Sequence, residues 1–339
     1  MNESRSKIFI TGAAGFVGKA LVFCLLAKKY SLKALVRGHS DTLPTEVEQI
    51  YADLADFSTV SQSFTKSLTD MVSPLQATLM DVNTVIHTAA RVHIMDDDST
   101  DPLAAFRQVN VEGTLNLARQ AAEKGVRRFI FVSSVKVNGE MTAEDHPFKP
   151  DGSFIPTDPY GLSKYEAEQG LLELAKQTRM EVVIVRPPLV YGPGVKANFA
   201  AMINLVSKGL PLPFGAIHNQ RSLVALDNLV SFIIHCIDHP KAANEIFLIS
   251  DGVDVSTTVL IKKVAKAFDK KAWLLPIPVS WMTFVAKLVG KTDVTERLFG
   301  SLQVDSSKAR DLLGWKPVVT MDEQLKKIAE NYLSNEKNF

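Results

Sequence analysis

Tyr160 and Lys164 stand four residues apart in Tyr160-Gly-Leu-Ser-Lys164, at the head of a stretch to Gln177 with apolar residues at helical spacing. That spacing puts a phenol and an ammonium on one helix face. A free phenol titrates near about 10, so making its phenolate usable at neutral pH costs about 4 kcal/mol. A neighbouring cation lowers that cost, and the pair reads as an acid/base unit. Of the six tyrosines only Tyr160 has a lysine four residues on.

The second chemical signal is Thr11-Gly-Ala-Ala-Gly-Phe-Val-Gly18, between an apolar run and a helical stretch. Glycines at 12, 15 and 18 permit a tight turn, close backbone approach to a pyrophosphate and close helix–strand packing, while the helix N-terminus faces the negative charge. The spacing is G-x-x-G-x-x-G, a variant of the G-x-G-x-x-G dinucleotide fingerprint. The end of the next strand selects the cofactor: a carboxylate there bonds the ribose 2′-OH of NAD, whereas an Arg accommodates the 2′-phosphate of NADP. Here the strand ends in Arg37 and no carboxylate follows until Asp41. This favours NADP(H), with NAD(H) as the alternative.

These motifs need a scaffold, and the pattern supplies one. Lys7–Thr11, Leu32–Arg37, Thr84–His87, Arg128–Ser133 and Glu181–Arg186 read as buried strands, separated by helices at Gly15–Lys29, Leu103–Lys124 and Tyr160–Gln177. Near-continuous Val/Ile/Phe runs between helices predict an α/β fold: a Rossmann-like, doubly wound parallel sheet covered on both faces. Asp158-Pro159 marks the start of the helix that carries Tyr160. Between Phe57 and Asp81 a helix is expected in the first part only, because Pro74 interrupts the pattern. After Arg186, Pro and Gly punctuate short elements. The expected division is a dinucleotide-binding domain over 1–186 and a smaller, mainly substrate-binding lobe over 187–339, with some segments returning to the first domain. The apolar run Trp273–Val289 reads as a lid helix packing on the lobe, with a membrane-surface element as the alternative.

Composition narrows the function classes. The chain has 339 residues, 46% apolar and 22% charged, with 38 basic and 37 acidic side chains and a net charge of +1. It is long enough to bury a core without disulfide or metal staples, and no metal ligand is assigned. With no Lys/Arg run and no sequence-wide basic field, neither nucleic-acid binding nor membrane insertion is expected. Ile8–Ala27 is mostly apolar, but its glycines and Lys19 read as strand, turn and helix rather than a span or a cleaved leader. Cys24 and Cys236 are expected to be buried thiols of a protein in the reducing cytoplasm.

Together the glycine turn and Tyr-x-x-x-Lys resemble the extended short-chain dehydrogenase/reductase superfamily, whose members include NAD(P)-dependent nucleotide-sugar epimerases and dehydratases. The resemblance runs along nearly the whole chain: Asn110-Val-Glu-Gly-Thr114, Arg186-Pro-Pro-Leu-Val-Tyr-Gly-Pro-Gly194, Arg221-Ser-Leu-Val-Ala-Leu-Asp227 and the closing Asp305–Trp315 all match. It implies a catalytic hydroxyl at Ser134, in Phe131-Val-Ser-Ser-Val-Lys-Val-Asn-Gly139, where Asn138 replaces the usual Tyr and leaves that pocket contact open. It implies cofactor contacts from Gly12, Ala14, Gly15, Phe16 and Val17 in the turn, and from Arg37, Asp53 and Leu54 at the adenosine end. Thr88, Ala89, Ala90, Asn110, Tyr160, Lys164 and Pro187 complete that set. For the substrate it implies Ser134, Asn198, Arg221 and Arg297, the arginines offering charge-assisted bonds to a diphosphate. His93 stays outside the catalytic set.

Dehydratases carry an extra acid and base beside the hydroxyl; here Val135 and Lys136 stand there, which argues against water elimination. The likeness is greatest to bacterial O-antigen proteins: UDP-sugar 4-epimerase-like chains and 4-reductases of UDP-linked 4-keto-6-deoxy-N-acetylhexosamines. Arg37 tilts the reading to the NADP(H)-dependent 4-ketoreductase, with Tyr160 donating a proton as hydride reaches sugar C4. The second reading is a UDP-glucose or UDP-N-acetylglucosamine 4-epimerase with tightly held NAD. A reductase of a non-nucleotide ketone and a non-catalytic dinucleotide-binding regulator are further alternatives. A cytoplasmic homodimer through helices 103–124 and 160–177 fits the resemblance.

Overall fold

Alternate residues of the apolar runs enter two different cores, as the period of a strand requires. In β1 (Lys7–Thr11), Ile8 and Ile10 pack on one side of the sheet and Phe9 on the other. The pattern repeats in β5 (Arg128–Val132), with Ile130 against Phe129 and Phe131, and in β6 (Glu181–Arg186), with Val183 and Val185 against Val182 and Ile184. The computed structural model describes residues 6–55, 74–92, 101–143, 145–152, 154–288 and 298–336.

With β2 (Ser31–Val36), β3 (Glu48–Tyr51), β4 (Val82–His87) and β9 (Glu245–Leu248), these strands form a seven-stranded sheet in the order β3-β2-β1-β4-β5-β6-β9. Every pairing is parallel. The chain is thus the expected doubly wound α/β fold. Strand order reverses between β1 and β4, and a crevice at such a switch point is where open α/β sheets take ligands. Two runs open there: the glycine turn after β1 and Thr88-Ala89-Ala90 after β4.

Helices α1 (Phe16–Ala27) and α7 (Leu226–Asp238) cover one face. The other face is covered by α2 (Pro74–Leu79), α4 (Thr114–Glu123) and α5 (Pro159–Gln177). Buried Arg128 ties α7 to β5, donating to the carbonyls of Cys236, Ile237 and His239 at 2.5, 3.0 and 2.9 Å. Those are C-terminal carbonyls left without helical partners, so a guanidinium suits both their lone pairs and the helix dipole.

A separate apolar cluster holds the lobe together. It joins β7 (Leu189–Tyr191) and β8 (Leu223–Ala225), which pair in parallel, to α6 (Ala197–Ser207), α8 (Thr257–Ala267) and C-terminal α11 (Met321–Glu336). Helix α9 (Val279–Leu288) hangs from this lobe, and α10 (Ser307–Leu313) packs beside α7. None of the described helices is long and apolar enough to cross a membrane.

Four expectations change. Pro74 opens α2 instead of breaking a helix, because the first turn needs no N–H from its opening residue; the helix expected before it lies outside the described residues. The stretch 103–124 is not one helix but α3 (Pro102–Arg107), a π-helical turn over Gln108–Gly113 and α4. A Cβ on Gly113 would sit 2.5 Å from Leu54 O, so this glycine lets the π turn press on the loop after β3. Cys236 is buried as expected, whereas Cys24 is exposed, lying on the solvent side of α1. Trp281, Phe284 and Leu288 of α9 face solvent rather than the lobe, since the strap before the helix, through its backbone pairing and the packing of Ala272 and Leu274, is what holds to the lobe.

Candidate active site

The glycine turn is built by contacts too close for side chains. Gly12 takes a left-handed φ of +69°, and a Cβ on Gly18 would lie 2.1 Å from Gly12 O. Gly15 N–H donates to Gly12 O at 2.9 Å and N-caps α1, which has no side-chain cap and no acidic residue in its first turn. Ala14 and Gly15 are exposed at that positive helix end; Phe16 and Val17 are half-buried. Thr88 Oγ1 donates to Thr11 O at 2.7 Å, and Ala89 N–H reaches Thr11 Oγ1 at 3.3 Å. With Ala90 half-buried behind them, the two runs form one wall of the crevice.

Beneath that wall lies a buried relay that sequence reasoning missed. His87 bonds Thr11 Oγ1 through Nδ1 at 2.7 Å and Thr114 Oγ1 through Nε2 at 2.9 Å. Burial, then the Lys164 charge, lowers its pKa to about 3, so this imidazole is neutral. The only advance signal was a polar residue closing an apolar strand.

At the adenosine end Arg37 is exposed, and the nearby carboxylate of Asp41 pairs with His39 at 3.0 Å. Half-buried Asp53 accepts from Ala55 N–H at 2.9 Å, and Leu54 is buried.

The catalytic candidates converge at the end of β5. Ser134 opens the short 3-10 turn Val135–Val137, its Oγ accepting from Lys136 N–H at 3.2 Å. Asp158 N-caps α5 through a 3.0 Å bond from Gly161 N–H, with Pro159 in the first turn. This start sets Tyr160 beside Ser134, to whose side chain it is hydrogen-bonded, with the Phe106 ring edge-on at 6.0 Å. One turn later, buried Lys164 holds Nζ 3.9 Å from the centre of the Phe131 ring.

The electrostatics differ from the expectation that the lysine brings the phenol down. Burial pushes Tyr160 up to about 12, against the opposing Ser134 hydrogen bond. Burial also lowers Lys164 to about 7, which the Glu168 carboxylate partly opposes. Without a further positive charge, Tyr160 is therefore a proton donor, and Lys164 is half-charged near neutrality.

Asn110, expected at the cofactor, braces the site through the protein. Its Oδ1 accepts from Arg91 N–H at 2.8 Å, and its Nδ2 donates to Arg91 O and Ser163 Oγ, each at 3.0 Å. Ser163 donates in turn to Tyr160 O at 2.8 Å. Both amide hydrogens are committed, and the π turn aims the side chain. Buried Pro187 likewise gives its carbonyl to Val135 N–H at 3.0 Å. Asn138, the departure from the resemblance, is structural: its Oδ1 accepts from Arg186 Nη1 at 3.1 Å and its Nδ2 donates to Lys149 O at 2.8 Å.

On the lobe, half-buried Arg221 donates from Nη1 to Gly300 O at 3.0 Å, and burial lowers its pKa. Asn198 belongs to the first turn of α6; Arg297 and His93 lie outside the described residues. A cavity of about 300 Å³ opens between α8 and α11, lined by Val255, Lys263 and Thr320 but by no catalytic candidate.

Residues 8–250 match the NAD dependent epimerase/dehydratase family, and the chain belongs to it. It is therefore an enzyme of the extended short-chain dehydrogenase/reductase type that works with a nicotinamide dinucleotide. It is 50% identical over 331 residues to a UDP-glucose 4-epimerase of Vibrio cholerae, covering 96% of this chain and 95% of that one. It is 25% identical to a dTDP-4-dehydro-6-deoxyglucose reductase of Escherichia coli, over 98% and 99% of the two chains. In fold it resembles the Bordetella bronchiseptica enzyme WbmG, solved in complex with NAD and UDP, with a TM-score of 0.75 and 20% identity over 98% and 96% of the chains.

Proposed function

We propose that this enzyme is a UDP-hexose 4-epimerase with resident NAD, the second of the readings above. The observation that carries it is the 50% identity to the Vibrio cholerae UDP-glucose 4-epimerase, which extends over nearly the whole of both chains. The crevice fits the cofactor: Gly12 and Gly18 leave no room for side chains, and the uncapped α1 N-terminus suits a diphosphate. Gly12, Ala14, Gly15, Phe16 and Val17 would hold the diphosphate half, and Asp53 and Leu54 the adenine. Thr88, Ala89, Ala90 and Lys164 would border the nicotinamide half. When bound, this group supplies a hydride acceptor that also returns the hydride.

Tyr160 takes the O4 proton as the C4–H bond is broken, which leaves a 4-keto sugar, and gives the proton back when C4 is reduced from the other face. Ser134 hydrogen-bonds the same oxygen. Lys164, positive, stabilises the phenolate that Tyr160 is before it takes the proton and becomes again once it has given it back; at the keto stage Tyr160 is a neutral phenol. Arg221, Arg297 and Asn198 are the candidates for the UDP diphosphate.

One observation favours the ketoreductase: Arg37 is exposed after β2, and the carboxylate of Asp41 is paired to His39. That arrangement suits NADP(H), the cofactor of the reading as a reductase of a UDP-linked 4-keto-6-deoxy-N-acetylhexosamine. Denaturing the purified protein and identifying the released nucleotide separates the two. Near-stoichiometric NAD, with interconversion of UDP-glucose or UDP-N-acetylglucosamine and its C4 epimer, is the expected result. NADP(H) or no bound nucleotide, with no interconversion, would overturn the epimerase and favour the reductase, to be assayed next on a 4-keto UDP-sugar. A homodimer through α4 and α5, a cytoplasmic location and a role in surface-polysaccharide synthesis complete the proposal; sedimentation velocity tests the first.

A further inference from the structure

The chain is nearly neutral overall, yet residues 187–226 and 270–292 contain no Asp or Glu and seven Lys or Arg. Backbone pairing joins these stretches: Leu212 N–H donates to Trp273 O and Leu275 N–H to Leu212 O, each at 2.8 Å. The chain then leaves the lobe as α9. Trp281, Phe284 and Leu288 follow each other at i, i+3 and i+7 on one helix face and are 71%, 63% and 72% exposed. Trp273 and Leu275 add exposed apolar surface from the strap before the helix. None of the described apolar side chains of α9 joins a hydrophobic cluster of the described chain. Lys271 on the strap and Lys287 on the helix are exposed as well.

We propose that α9 and its strap dock on an anionic phospholipid bilayer, with the helix lying in the interface plane. The ten described residues of α9 rise only about 15 Å, too short to span. Trp, Phe and Leu on one face with lysines beside them are what an interfacial helix needs: apolar area for the acyl boundary and cations for the headgroups. A second copy of the same face is a poor occupant, since a two-fold contact would set lysines against lysines.

The test uses the full chain, purified without detergent, and vesicles of phosphatidylcholine alone or mixed with phosphatidylglycerol. The protein is expected to sediment with the anionic vesicles, less with the neutral ones, and less again in high salt. The double variant Trp281→Ser/Phe284→Ser is expected to keep the wild-type Tm and to lose partitioning by about tenfold or more. Failure to bind anionic vesicles, or undiminished binding by the double variant, overturns the proposal. So does a double variant that binds vesicles normally but changes the sedimentation coefficient of the lipid-free protein, which would make the face a self-contact. An increased KM for the nucleotide sugar with vesicle binding intact would make it a lid and overturn the proposal equally.

Discussion

One turn apart on α5, two regions treat buried cationic charge in opposite ways. Around Lys164 the ammonium lies over the Phe131 ring, and no described carboxylate comes within ion-pair distance. Around Glu168, Arg186 donates to the carboxylate from Nε at 3.0 Å and from Nη2 at 2.5 Å. Asn138 Oδ1 and Pro150 O take Nη1 at 3.1 and 3.0 Å. The first cation is held ready to lose its proton, and the second is locked. A buried charge with every partner present shapes the fold; one left short of partners has a shifted pKa and is available for chemistry.

The comparison is sharpest at the phenol that Lys164 serves. Tyr160→Phe keeps the ring against Phe106 but removes the transferable proton, so kcat is expected to fall about 10³-fold with folding unchanged. Steady-state assay alongside thermal melting checks this; near-normal turnover would break the assignment of chemistry to the Lys164 side.

In the locked region the effect should appear in stability. Glu168→Gln leaves the Arg186 guanidinium buried without its counter-charge, and urea unfolding is expected to show a loss of about 3 kcal/mol. The same change removes the carboxylate that holds a proton on Lys164, so the lysine should titrate lower still. A stability loss without any movement of Lys164 would show that the two regions are independent.

The smallest effect is a slope with pH. Lys164 titrates near 7 when folded, against the ordinary lysine value of 10.5, so between those values the unfolded chain binds a proton that the folded chain has released. Stability then rises with pH across this window, and Lys164→Met is expected to flatten that rise. Urea midpoints measured from neutral to alkaline pH in both proteins test it.

Much of the nucleotide half was legible because backbone geometry demanded particular residues. Gly12 and Gly18 stand where a Cβ would collide with backbone, and such positions leave a mark in any sequence. Tyr160 and Lys164 were legible for a related reason, since helical spacing is local. Asn110 was legible but its bracing bonds were not, because its partners Arg91 and Ser163 lie far off in the chain. The ties of Arg186 and Asn138 and the relay through His87 join residues dozens of positions apart, and no local pattern encodes them.

The sequence by itself determined the alternation of strands and helices, the dinucleotide turn and the acid/base pair, for each follows from period, chirality or sterics over a few residues. Only the tertiary structure decided that Lys164 is depressed while Arg186 is neutralised, that Cys24 is exposed and that Trp281, Phe284 and Leu288 of α9 lie outside the cores of the described residues. Burial and electrostatic environment are sums over neighbours brought together by folding, and the same side chain changes its chemistry with the company it is given.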